Sequence, residues 1–149
     1  MDRYKGFTLI ELVVVLALFS LFFSIAMPSF KVLYNYEQDQ ELKDFRRDIL
    51  FARNQSIVKG EPHRVAFDYE RNYYVIESNG KNIRSHYFKN GVQLILKPFN
   101  LEDPGVIELE FGRNGVPNHS GTVFLRLDDK KIYGLSVTPA TGKVNLREY

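Results

Sequence analysis

Hydrophobic and polar positions along this chain fall into three rhythms. From Phe7 to Met27 there is none: 21 residues run together with a single charge, Glu11. At about 1.5 Å per residue, a helix of that length measures roughly 32 Å, against a hydrocarbon core about 30 Å thick. The run is long enough to span a membrane. From Lys31 to Lys59 a helical period takes over: Leu42, Phe45, Ile49, Ala52, Ser56 and Ile57 recur at three- and four-residue spacing, opposite Glu37, Asp39, Glu41, Lys43, Asp44, Arg47 and Asp48. That pattern predicts an amphipathic helix whose stripe is core. Gly60-Glu61-Pro62 stops it, since Gly suits a C-terminal cap and Pro cannot continue a helix.

From His63 onward the period is two. The candidate strands are 63–68, 73–77, 83–88, 92–97, 106–111, 122–127, 132–138 and 144–146, separated by Asn79-Gly80, Asn90-Gly91, Asp103-Pro104-Gly105, Asn114-Gly115, Ser120-Gly121, Asp128-Asp129 and Thr141-Gly142. In 106–111, Val106, Glu108 and Glu110 are expected on a wet face and Ile107, Leu109 and Phe111 on a core face. The fold class is α+β: a continuous helix from about Phe7 to Lys59 on a mostly antiparallel β head of about eight strands. The expected organisation is a leader 1–6, a membrane helix 7–30, an amphipathic helix 31–60 and a globular head 61–149.

Charge gives the long apolar run a direction. Arg3 and Lys5 precede it, so the positive-inside bias keeps the N-terminus cytoplasmic and sends everything after Pro28 across. Pro28 lacks an amide donor and is expected to kink the helix, which membrane helices tolerate. Tyr34 and Tyr36 stand where interfacial anchors or filament contacts would be. Glu11 is the anomaly, because an acid in an apolar run usually has a partner or a function, and no Lys or Arg lies between residues 6 and 30.

Lys5-Gly6-Phe7-Thr8-Leu9-Ile10-Glu11-Leu12, followed by an apolar run and Pro28, resembles the class III signal of type IV pilins and type II secretion pseudopilins. The resemblance implies cleavage between Gly6 and Phe7 by a prepilin peptidase and methylation of the new Phe7 amine. It also implies that Glu11 and Pro28 serve assembly. The new α-amine, with a reference pKa near 8, is mostly protonated at neutral pH and would supply the missing cation to the Glu11 of a staggered neighbour. Leaving half of such a pair unmade is penalised, so the contact acts on register. Two other readings fit the same stretch. One is a Sec signal with Arg3 and Lys5 as n-region, Leu9 to Phe19 as h-region and Ser24-Ile25-Ala26 as cleavage site; the other is a plain anchor.

A second resemblance lies at the other end. Phe111-Gly112-Arg113-Asn114-Gly115-Val116-Pro117, Gly121-Thr122-Val123 and Val137-Thr138-Pro139-Ala140-Thr141-Gly142-Lys143-Val144 are similar to the GspH/FimT subfamily of minor pseudopilins and minor pilins. As local chemistry, these Gly, Pro and Asn residues read as turn punctuation. The resemblance implies a minor pseudopilin of a type II secretion pseudopilus, an assembly subunit rather than an enzyme. The alternative is a FimT-like minor pilin of a type IV pilus, involved in assembly or DNA uptake; a Sec-exported binding domain is a third reading. Partners would be the prepilin peptidase, other pilins through the N-terminal helix, and the inner membrane, crossed once with the head periplasmic.

Composition narrows these readings. The chain is +2, and losing Asp2, Arg3 and Lys5 with the leader leaves +1. That balance does not favour nucleic acid as a partner. The family's DNA-binding members carry a Gly-Arg-x-Arg-like segment; here Gly142-Lys143-Val144-Asn145 lacks the second basic residue, with Arg147 nearby, so Lys143 and Arg147 are the DNA-binding candidates of the alternative. There is no cysteine, hence no disulfide or Cys-based zinc site. His63, His86 and His119 show no metal-ligand spacing and are expected mostly at the surface or in strands. Glu108 and Glu110 share a solvated strand face, and Gly112-Arg113-Asn114-Gly115 lacks the Lys and following helix of a phosphate loop. No catalytic residue, metal or cofactor is expected.

Overall fold

The computed structural model describes residues 6–96, 98, 105–128 and 130–149; inside the helix, the side chains of 26–29 and 31 are not described. Arg3, Lys5, Asp103, Pro104 and Asp129 lie outside the described residues, and so do the expectations attached to them. The element order is α1 (Leu9–Lys59), β1 (His63–Asp68), β2 (Tyr73–Ser78), β3 (Lys81–Tyr87), β4 (Gln93–Ile95), β5 (Glu108–Phe111), β6 (Gly121–Arg126), β7 (Ile132–Val137) and β8 (Val144–Glu148). The chain divides into two compact units, Met1–Glu37 and Gln38–Tyr149, so the second half of α1 belongs with the head.

Helix α1 begins at Leu9, two residues later than expected, and continues through Pro28 to Lys59. Gly60 ends it at φ +62°, the left-handed geometry that a glycine cap supplies. All strand pairings are antiparallel and form two four-stranded sheets, β3-β2-β1-β5 and β4-β6-β7-β8. Asn79-Gly80 and Asn90-Gly91 both have positive φ at both residues, as tight turns of this composition require.

The core is one cluster with three contributors. Helix α1 gives Leu42, Phe45, Ile49 and Ala52; the first sheet gives Val65, Tyr74, Ile76, Leu109 and Phe111; the second gives Leu94, Val123, Leu125, Leu135, Val137 and Val144. Phe45 sits at its centre, with ring centroids 5.2 Å from Tyr74 and 5.3 Å from Phe88.

Two expected strands, 92–97 and 106–111, are shortened by two residues or more. Val106 donates to Thr122 of β6 while the carbonyl of Ile107 accepts from Phe67 of β1, so this segment steps from one sheet to the other before β5 starts at Glu108. Ile107 is consequently exposed rather than in the core, and Val106 is partly buried against it. β4 keeps three residues, because the Val92 amide closes a turn onto Lys89 and the Leu96 carbonyl accepts from Gly105.

Candidate functional site

At the N-terminus, Thr8 caps α1. Its hydroxyl oxygen accepts from the Glu11 amide at 3.4 Å, and its carbonyl accepts from the Glu11 and Leu12 amides at 3.1 and 3.2 Å. Thr8-x-x-Glu11 has the spacing of a capping box, the sequence signal that would have placed the helix start at Leu9. Gly6 and Phe7 therefore lie ahead of the helix in non-helical backbone, both exposed, with open space around Gly6. Glu11 falls in the first turn, on the side of the helix end that favours negative charge, and has no cationic partner among the described residues.

Beyond Glu11 the apolar side chains are bare. Every large hydrophobic described from Leu9 to Ile25 is exposed, and Val15, Leu18, Phe19 and Phe22 line a wholly apolar notch. Ser20 returns its hydroxyl to the carbonyl of Ala17 at 2.8 Å, so this polar group is satisfied within the helix. Among the described residues no helix is long and apolar enough to cross a membrane. The described side chains of the run end at Ile25, short of Met27. Of Pro28, the described fact is its place inside α1.

In the head, α1 is tied to the sheet by polar contacts that the sequence left on its wet face. Asp48 is buried, accepts from the Tyr74 hydroxyl at 2.9 Å and pairs with Arg84, whose guanidinium lies 4.5 Å over the Phe51 ring. Glu41 meets His86 Nε2 at 2.8 Å. Burial, and after it the Asp48 charge, pushes the Tyr74 hydroxyl far above its ordinary value, while burial alone pushes Tyr69 up to about 12. Asp48 stands three residues after Phe45 and four before Ala52, so the spacing that carried the stripe already put it on the buried side.

A second tie joins α1 to the C-terminal motifs. Arg53 donates from Nε to the carbonyl of Gly115 at 3.1 Å and from Nη2 to that of Thr141 at 3.0 Å. A Cβ on Gly115 would come within 2.5 Å of Ile57 Cδ1, and one on Gly142 within 2.5 Å of Arg53 Nε. Gly115 and Gly142 are turn residues, as expected, but they also bring two distant loops onto one arginine.

The other candidates do not converge. His63, the first residue of β1, is fully buried; its Nδ1 lies 3.0 Å from the Glu61 carbonyl, and its Nε2 has no partner. His86 is engaged with Glu41, and His119 is exposed. Among the described residues no three His, Asp or Glu groups come together as metal ligands. Lys143 precedes β8 and Arg147 lies on it opposite Gly134; both are exposed.

Comparison with known proteins bears on the N-terminus and on the chain as a whole. Residues 1–27 match the family model of the prokaryotic N-terminal methylation motif. Over 147 residues the chain is 25% identical to the competence protein ComGD of Bacillus subtilis (strain 168), covering 98% of this chain and 95% of that one. The fold is similar to the minor pseudopilin EpsH from the type 2 secretion system of Vibrio cholerae, with a TM-score of 0.52 and 15% identity over 70% of this chain and 91% of that one. The chain thus carries a prepilin-type N-terminal methylation motif, resembles a competence protein along its length and shares the fold of a minor pseudopilin.

Proposed function

We propose that this chain is a pilin-like subunit of a filament assembled from the membrane. Residues 1–6 form the leader cut by a prepilin peptidase, with Phe7 becoming the methylated N-terminus. Residues 7–30 serve first as a single-pass anchor and then as filament core, with Pro28 part of that packed segment, while 31–60 and the head 61–149 lie outside the cytoplasm. The observation that carries this reading is the capped helix start: an accessible Gly6-Phe7 bond, a Glu11 with no cation beside it among the described residues, and then a helix with no cover for its described apolar side chains. The amine released at Phe7 gives a neighbour's Glu11 its cation. The protein acts by assembling, and its chemistry is that of the peptidase and methylating enzyme acting on it.

The test is the mass of the mature N-terminus. Methyl-Phe7 is expected; a terminus at Met27 would mean Sec cleavage after Ala26 and would end the proposal. Glu11→Ala should insert and be processed yet enter filaments poorly, and normal incorporation would refute the register role.

Two machines share this design, type II secretion and a competence or type IV pilus apparatus. The end-to-end similarity to a competence protein favours the second, because the likeness to the secretion pseudopilin is one of fold at low identity. Deleting the gene should then abolish transformation and leave protein secretion intact; the reverse result would assign the chain to secretion.

A further inference from the structure

Each sheet of the head turns one face to the shared core and the other to solvent, and the two solvent faces differ in charge. On β3-β2-β1-β5, cross-strand register puts Asp68, Glu77, Glu108 and Glu110 on the outer face, opposed by Arg64 and, at Asp68, by Arg71 at 3.9 Å. Arg64 is already engaged by Glu77 and by Glu108 at 3.3 Å. Together with Glu110 these three border an open groove of about 340 Å³. Farther along the same face, Tyr73 and Tyr87 stack with ring centroids 4.8 Å apart.

The outer face of β4-β6-β7-β8 is the converse. Its cross-strand rows are Gln93, Arg126 and Ile132, then Ile95, Phe124, Gly134 and Arg147, then Thr122, Ser136 and Asn145. No carboxylate stands in these rows, and Asp128, just past the end of β6, borders the same hollow as Arg126 and Gln93. Arg126 is held by a neutral group, Gln93 Oε1, at 2.7 Å, and Arg147 has no carboxylate partner among the described residues. The acid of β8, Glu148, alternates to the other side, where it meets Tyr133 and Lys131. The segregation is therefore a property of the strand register, with the overall charge near neutral.

We propose that the acidic outer face of one copy docks on the arginine-bearing outer face of a second copy. Carboxylates and tyrosine rings suit a guanidinium, by forked hydrogen bonding and by the ring face respectively. The chain itself supplies Arg126, held by the neutral Gln93, and Arg147, which has no carboxylate partner among the described residues, on a face that cannot fold back onto its own acidic one because the core separates them. A contact of this kind is heterologous, so it leaves both faces free at the ends of the assembly and extends as an open chain. Exposed charge pairs are weak and salt-screened, so the contact needs the high local concentration that anchored stems provide. In that respect the inference rests on the filament-subunit reading.

The test uses the full chain in its membrane, where the absence of native cysteine makes single-cysteine variants clean probes. Differently tagged copies carrying Glu108→Cys and Arg126→Cys are co-expressed and oxidised. A disulfide-linked mixed dimer is expected at several times the yield of either like-face pair. Adding Arg147→Glu to the basic copy should cut that yield several-fold, and Glu110→Arg in the acidic copy should restore it, a recovery that misfolding would not give. Equal yields from like-face pairs, indifference to Arg147→Glu, capture of a different protein by the Glu108→Cys copy, or nuclease-sensitive retention of the basic face in place of the cross-link would each overturn the inference. Methyl-Phe7 and the Glu11→Ala defect are independent of these faces; if they hold while cross-linking fails, only the docking of heads is lost.

Discussion

The two halves of α1 have the same secondary structure and opposite fates. In the first half Phe22 is 71% exposed; in the second Phe45 is 0% exposed, ringed by Tyr74, Phe67 and Phe88. The second half is covered by its own head. The first half is covered by none of the described residues, and apolar surface of that extent calls for lipid or other helices. A helix thus tells little about its environment until the chain that would cover it has been found or found missing.

That contrast can be broken in order of expected effect, with unfolding of the head followed in detergent-solubilised full-length protein. Phe45→Ala should cost about 3–5 kcal/mol, the range for deleting a large ring from a packed core. Asp48→Ala should cost about 1–3 kcal/mol, because the Tyr74 hydroxyl is left buried without its acceptor, while Arg84, half exposed, can turn to water. Gly142→Ala should cost about 1–2 kcal/mol, since φ +62° strains any side chain and Arg53 occupies the space.

Alkali should act more gently. Tyr69 is raised to about 12 and Tyr74 is raised as well, so above pH 10 the unfolded chain loses phenolic protons that the folded chain retains. The stability this provides is complete below pH 10 and declines as pH rises toward 12; a flat denaturation midpoint across that window would contradict it. Smallest of all, Phe22→Ala should leave the head's unfolding midpoint unchanged while reducing incorporation into filaments. A shift of the midpoint comparable to that of Phe45→Ala would erase the distinction between the halves.

Much of this was legible in sequence because the signals are local. The stripe from Leu42 to Ala52, the Gly60 cap and the Asn-Gly turns each depend on neighbours a few residues away. Elsewhere partner choice decided, and local pattern does not encode partners. Ile107 looked like core because its strand was taken to extend to Val106, whereas Val106 bonds to the other sheet. Asp48 was placed with the solvated acids although its spacing put it beside Phe45. Phe124 is buried although it lies on the outer face of β6, because Tyr149 packs edge-on against it and Gly134 leaves room for that ring. At the candidate site, Gly6, Phe7 and Glu11 were singled out by resemblance and by an awkward charge, while Thr8, which holds the helix start, passed without notice.

Arg53 reaches residues 62 and 88 positions farther along the chain. Contacts that distant in sequence form slowly, and on a ribosome the one to Thr141 cannot form until β7 has emerged. Helix α1 is thus complete while the head is still open, so on the proposed function a leader at 1–6 would be open to a prepilin peptidase before the head has closed. The order of synthesis and the order of assembly run in the same direction, from the first helix outward.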